Sequence, residues 1–245
     1  MTVMEFQKLT QTRFKGKSSI IAEQILRSIK NGSYSLGDKL PPERIIAEKM
    51  GVSRPSVREA ISALQISGVL ETRPGDGTYV SRLPAADDFK NHAISILEES
   101  DSPYEILQAR RAMEIGILRL AIEVASDEDL LKIKQAWDEK YELGRRGRYE
   151  AYTRYGKDFH LAIAKATKNR VIINIMDKLL DITQKPLWVN MRKSYYEANP
   201  NRIQQMLEVH NGIVEAILKR DVEAAIRALE ADFDNVLQQL YYQYD

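Results

Sequence analysis

The strongest constraint on the fold lies between Glu43 and Leu64. Two runs of helical periodicity there, "ERIIAEKM" and "RPSVREAISAL", are separated by Gly51, Val52 and Ser53 alone. A break that short leaves no path except a tight turn, so the two segments form a helix-turn-helix. Gly51 stops the first helix, and Ser53 is placed to cap the N-terminus of the second. Pro55 falls in the first turn, where its missing N–H has no partner to lose.

The flanks complete a unit. Ahead of it, "SSIIAEQILRSIK" repeats Ile21, Ile25, Leu26 and Ile29 at helical spacing until the glycines and prolines of "NGSYSLGDKLPPE" break the pattern. Behind it, the β-prone runs "VLETR" and "TYVSR" flank the turn "PGDG" and read as a hairpin. Helix, helix-turn-helix and hairpin in that order make a winged helix. "LPAADD" then serves as a linker, and beyond it the pattern is almost entirely amphipathic helix: roughly 88–98, 103–124, 127–143, 149–167, 171–192, 200–219 and 222–242. Short breaks between them suit antiparallel neighbours in a bundle. The expected fold is mostly α. A winged helix-turn-helix domain covers residues 1–82, a linker 83–87, and an all-α bundle of about seven helices 88–245.

Composition bounds the setting. A chain of 245 residues, 44% hydrophobic and 29% charged, has the makings of a soluble globular protein. With no cysteine it has neither disulfides nor thiolate metal sites. It lacks any uninterrupted apolar run of about 18 residues, and "MTVMEFQKLTQTRFKGK" lacks the apolar core of a secretory signal. A cytoplasmic protein with no membrane partner is expected. The net charge of +1 conceals an asymmetry, because residues 1–82 carry +5 and the remainder −4. A basic module for a polyanion, joined to an acidic one, accounts for that division.

Double-stranded DNA is the polyanion that a winged helix meets. A recognition helix places its N-terminal side chains in the major groove, where arginine bonds bidentately to guanine O6 and N7. Arg54 and Arg58, four residues apart on one face, occupy the first turns of that helix. Arg44, at the start of the preceding helix, is placed to meet a phosphate or base edge, and the Ser53 hydroxyl suits a phosphate oxygen. The hairpin tip at Gly75 approaches the adjacent minor groove or backbone. The plainer alternative makes Arg54 and Arg58 surface charges paired with Glu59 or Glu43.

In the helical half, function has to be sought among polar residues that interrupt apolar stripes. His210 interrupts Ile203, Met206, Leu207, Ile213, Val214 and Ile217, and His160 interrupts Phe159, Ile163 and Ala164. Asp232 lies among Leu229, Phe233 and Val236, while Arg110 and Glu114 lie among Leu107, Ile117, Leu118 and Ala121. Inward-facing polar groups need partners inside. Two neutral imidazoles and a carboxylate can hold a divalent ion such as zinc, nickel or manganese; the same three side chains can instead bond an effector directly. Asn169 reads as a helix-terminus residue, Trp188 and the tyrosines of "SYYEANP" as pocket or core aromatics, and His92 has no assigned role.

These residues carry a resemblance. Leu40 to Arg44, Val52 to Arg54, Val57 to Ala60 and Gly75 to Val80 match Leu-Pro-x-Glu-Arg, Val-Ser-Arg, Val-Arg-Glu-Ala and Gly-x-Gly-Thr-x-Val, so residues 19–82 look like the winged helix of the GntR family of bacterial transcriptional regulators. The helical remainder resembles the FCD effector domain of its FadR-type subfamily, through "ARRAMEIGILRLA", "FHLAIAKATKN" and "VHNGIVEAILKRDVEAA". The resemblance implies DNA contacts at Arg44, Ser53, Arg54, Arg58 and Gly75. It also implies a metal held by an Asp and a His four apart on one helix and by two later histidines. Here His160 and His210 keep two of those positions, Asp232 replaces the last histidine, and Gly156 stands where the Asp belongs. The family's effectors are often small carboxylates. Arg110 matches the arginine of its Arg-x-x-x-Glu pattern, which suits either a fork-like grip on an organic acid or an ion pair with Glu114.

The expectation is a homodimeric regulator, not an enzyme, that sets two recognition helices on a pseudo-palindromic operator and changes DNA affinity when the effector binds. Two alternatives stand beside it. One is a metal-dependent enzyme using His160, His210 and Asp232; the other is a constitutive DNA-binding protein whose helical domain only dimerises.

Overall fold

The computed structural model describes residues 16–73, 75–83, 87–146, 149–197, 199 and 201–241, without the side chains of 87–90, 149–155, 195, 197 and 239–241. Much of the 83–87 linker and the start of the wing turn at Pro74 therefore lie outside the described residues. The winged helix is built from α1 (Lys17–Lys30), the helix-turn-helix of α2 (Glu43–Met50) and α3 (Arg54–Ile66), and the strands β1 (Leu70–Arg73) and β2 (Gly77–Val80). Eight helices follow among the described residues: α4 (Asp87–Glu98), α5 (Pro103–Val124), α6 (Asp127–Arg145), α7 (Tyr149–Ala166), α8 (Arg170–Ile182), α9 (Pro186–Glu197), α10 (Asn201–Leu218) and α11 (Val222–Tyr241).

The chain divides into two compact units. The first holds the described residues up to Pro103 together with α9; the second holds Tyr104–Gln184 and Asn199–Gln238. In the first, the apolar stripes of the three opening helices meet through Ile21, Ile25, Ile46, Met50, Val57 and Leu64, closed by Val69, Leu70 and Val80 from the wing. The turn between α2 and α3 works as its residues require. Gly51 takes φ 65° and ψ 39°, a left-handed conformation that a side chain resists. The Ser53 hydroxyl accepts from the Ser56 N–H at the first turn of α3. The wing strands pair antiparallel with Leu70 opposite Val80 and Arg73 opposite Gly77. The 37–40 segment bonds along β2, with Gly37 N–H donating to the Val80 carbonyl and Leu40 N–H to that of Thr78.

In the second unit the junctions are capped by side chains. Ser126 and Asp129 form a reciprocal capping box at α6, and the Asn169 carbonyl accepts from the N–H groups of Val171 and Ile172 at α8. Arg220 donates to the carbonyls of Ile122 and Ala125 and to Asp127, closing the end of α5 and the start of α6. One expected element differs. The single helix over 171–192 is broken into α8 and α9, because Pro186 disfavours helical backbone at the preceding residue and suits the first position of a new helix. Thr183 ends α8 by donating its hydroxyl to the Leu180 carbonyl. No helix among the described residues is long and apolar enough to cross a membrane.

Candidate functional site

The recognition end of the first unit is assembled by the turn. Arg54 is the first residue of α3, directly after the Ser53 cap, and Arg44 stands on the first turn of α2 with its guanidinium half exposed, 3.8 Å from Glu48. Arg58 sits deeper. Its Nε donates to both carboxylate oxygens of Glu43, at 3.0 and 2.8 Å, and Nη2 makes a further contact, so only 12% of the side chain remains exposed. Of the two acids that could pair with it, Glu43 is the partner, while Glu59 is buried and accepts from the hydroxyls of Ser18 and Ser102. At the wing, Gly75 takes φ 73°, and the turn is braced by Asp76, which receives Lys39 at 3.0 Å and the Tyr79 hydroxyl at 2.7 Å. Those two donors hold the Asp76 carboxyl below its ordinary range. Arg73 lies over the Tyr79 ring, 4.2 Å from its centre. Lys39 and Arg73 add wing cations that motif matching did not single out.

The second unit buries a polar cluster. Glu114 on α5 receives Arg110 Nε at 2.7 Å on one oxygen, and His160 Nδ1 from α7 lies 2.7 Å from the other, off the line of a well-aligned hydrogen bond. Burial alone would raise the Glu114 carboxyl, but the Arg110 charge and the contact with His160 outweigh it and bring it down to about 2. Burial pushes His160 down against the pull of Glu114, and pushes His210 well down with help from the nearby Lys140 charge. For both imidazoles burial favours the neutral form. His210 Nδ1 lies 3.0 Å from the Met206 carbonyl, which can only accept, so that nitrogen carries the proton and Nε2 keeps a lone pair. Trp137 stacks on His210, rings 5.5 Å apart and 8° from parallel, and is itself fixed by donating Nε1–H to Asn211. Asp232 on α11 is 5% exposed, its Oδ1 has no hydrogen-bond partner, and it stands 3.8 Å from His210 Nδ1. Burial raises its carboxyl to about 6, with the Lys140 and Arg110 charges opposing.

Lys140 is the member of this cluster that motif matching missed. It continues the inward stripe of α6 through Ile133, Trp137 and Gly144, is 4% exposed, and holds its ammonium 5.7 Å from the Trp137 ring centre and 5.8 Å from that of Phe159. A charged residue on an apolar stripe is the same signal that picked out His160, His210 and Asp232. Of the two arrangements expected for Arg110 and Glu114, the ion pair is present, and Glu114 also faces His160.

The metal reading needs three or four donors around one point, and the residues present do not fit it. Among the described residues no group of three or more His, Cys, Asp or Glu side chains is arranged to hold an ion. A β-carbon at Gly156, where the implied carboxylate ligand would begin, would stand 3.8 Å from the Lys140 ammonium, so a cation already borders that position.

A winged helix with arginines in the first turns of its third helix, followed in the same chain by a helical unit that buries a charged cluster, defines a ligand-responsive transcriptional regulator. Residues 17–80 match the bacterial regulatory proteins of the gntR family, and residues 105–235 match the FCD domain. The chain is 32% identical over 224 residues to the Uxu operon regulator of Haemophilus influenzae, spanning 90% of this chain and 80% of that one. Its identity to the Exu regulon transcriptional regulator of Escherichia coli is 30%, over 90% of this chain and 83% of that protein, and to the regulator LutR of Bacillus subtilis 30%, over 85% and 94%. The chain belongs to the GntR family, in its branch with an FCD effector domain; it is a DNA-binding regulator and not an enzyme.

Proposed function

We propose that two copies of this chain, in the cytoplasm, bind a pseudo-palindromic DNA operator through Arg44, Ser53, Arg54, Arg58 and Gly75, and that a small organic acid held near Arg110 and Glu114 changes the operator affinity. The observation that carries the DNA half is the placement of Arg54 at the capped N-terminus of α3, where a recognition helix presents base-reading side chains. The buried Arg110–Glu114 pair, with two buried imidazoles and an unsatisfied carboxylate in the same unit, supports a polar ligand there. An effector acts by binding unequally to two states that differ in DNA affinity, so it need do no covalent chemistry.

Selection from a random duplex pool followed by fluorescence anisotropy tests the reading. A two-fold symmetric consensus is expected, and Arg54→Ala should weaken binding to that consensus by roughly 5- to 150-fold, the worth of one bidentate guanine contact, while leaving non-specific binding and dimerisation intact. An unchanged preference in Arg54→Ala would overturn the docking. If no small acid raises the melting temperature in proportion to its concentration, the helical unit only dimerises.

A further inference from the structure

We infer that Asn190, on α9, is a positioning residue for DNA reading: its amide gives both hydrogens to α3 and so orients a hydrogen-bond relay that seats the outer half of the wing on the recognition helix. The inference rests on the reading that the wing tip at Gly75 meets DNA. The inner half of the hairpin needs no such help, because Leu70 and Val80, paired across it, are buried in the core shared with α1, α2 and α3. Two residues nearer the turn on each strand, on the same face, the pair is Thr72 and Thr78. The apolar anchor has ended there. Backbone bonds from the 37–40 segment hold the edge of β2, which leaves the face toward α3 to be held by side chains, and a two-stranded hairpin is marginal by itself.

The side chains run in sequence from α9. Asn190 Nδ2 donates to the buried Ser62 hydroxyl at 2.8 Å and to Gln65 Oε1 at 3.3 Å. With its oxygen engaged, Gln65 presents Nε2 to the wing and donates to the Thr72 hydroxyl, which shares a hydrogen bond with Thr78 at 2.9 Å. Gln65 is half-buried on the last turn of α3, where a glutamine has several rotamers and two amide orientations to choose from. Asn190 removes that choice. Its own base is firm, since Leu187, Trp188 and Met191 bury the inner face of α9, which packs against α3 and α4. Without the Asn190 amide, Gln65 loses the partner that directs it to Thr72, and the wing cations Lys39 and Arg73 lose a fixed platform.

The test uses the full-length protein on its selected consensus duplex, with anisotropy titrations across salt and hydroxyl-radical footprinting. The parent should protect the site of the recognition helix and, beside it, a flank contacted by the wing. Asn190→Leu keeps bulk against α3 but has no donor. It should thin the flank, weaken binding about fivefold, the worth of one net hydrogen bond, and lower the salt slope by about one phosphate contact. Thr72→Val cuts the same relay beyond Gln65 and should do likewise. The double variant should also lose about fivefold, against about 25-fold for independent sites. Asn190→Asp lets the relay form with its donors reversed, because Gln65 can turn its amide over and each hydroxyl can donate or accept, so it should bind within about twofold of the parent. A packing role predicts the opposite order, with Leu tolerated and Asp harmful. If Asn190→Leu does not fold, Gln65→Met at a half-buried position gives the same cycle with Thr72→Val. Additive losses, or a flank and salt slope unchanged in Asn190→Leu or Gln65→Met, overturn the inference and leave DNA reading by α3 intact. A parent footprint without flank protection removes Gly75 from the DNA and overturns the inference with it.

Discussion

Replacing Asp232 by asparagine isolates the electrostatics of the buried polar cluster in the second unit. The carboxyl moves from its ordinary 3.8 up to about 6 on folding, because burial disfavours its charged form more than Lys140 and Arg110 favour it. Among the described residues it feels Arg110 and Glu114 on α5 and Lys140 on α6, and stands beside His210 on α10. A group whose folded value is raised gives its full stability below the unfolded value and loses it as pH rises through the folded one. At about 1.4 kcal/mol per pH unit, ionised Asp232 lowers stability by about 3 kcal/mol at pH 8, and about half of that loss falls between pH 5 and pH 8. Asparagine keeps the shape and does not titrate. Any fixed packing difference cancels when the two proteins are compared across pH, so Asp232→Asn should gain about 1.5 kcal/mol relative to the parent between pH 5 and pH 8.

Urea melts of both proteins at one concentration, at pH 5, 6, 7 and 8, measure this directly, provided the m-values agree. A relative gain that rises and levels off above pH 7 is the expected curve. Parallel curves for parent and variant would mean that Asp232 is not a desolvated carboxylate, and a gain that falls with pH would mean that a cation has drawn its value down. The second outcome would return the metal reading to consideration.

Glu43→Gln should release Arg58 from its bidentate clamp. It lowers stability by about 2 kcal/mol, the scale of charge-assisted hydrogen bonds, while steepening the salt dependence of operator binding by roughly one phosphate contact; an unchanged salt slope in anisotropy titrations would show that Arg58 stays out of the DNA contact. Gly51→Ala forces a side chain into the left-handed turn between α2 and α3 and should cost about 1–2 kcal/mol in denaturant melts, with no loss if the turn is relaxed.

Much of the architecture is legible because local chemistry and tertiary need agree. Gly51, Ser53 and Pro55 punctuate the helix-turn-helix in the only order that closes it, and the stripes of α10 and α11 show their buried faces directly. What escapes the sequence depends on which of several local signals wins. The apolar pattern runs on past Pro186 as one helix over 171–192, whereas Thr183 and the proline together end α8. Lys140 is hidden because a lysine on a charged helix is ordinarily solvated, and only the company of Trp137 and Phe159 places it inside. The choice of Glu43 over Glu59 as the partner of Arg58 is invisible along the chain, because Glu59 is claimed by Ser18 and Ser102 from distant segments.

One helix of the FCD match, α9, is packed with the DNA-binding fold. The FCD match spans this helix, yet α9 packs in the first unit, against α3 and α4. Asn190 donates to the buried Ser62 hydroxyl at 2.8 Å and to Gln65 at 3.3 Å, both on α3. Gln65 in turn donates to Thr72 in the wing, which bonds Thr78 across the hairpin. A polar chain thus runs from α9 through the far end of the recognition helix to both wing strands. Along the chain α9 is joined to α8 and α10, which belong to the second unit. α9 is thus a helix within the FCD match that packs on α3.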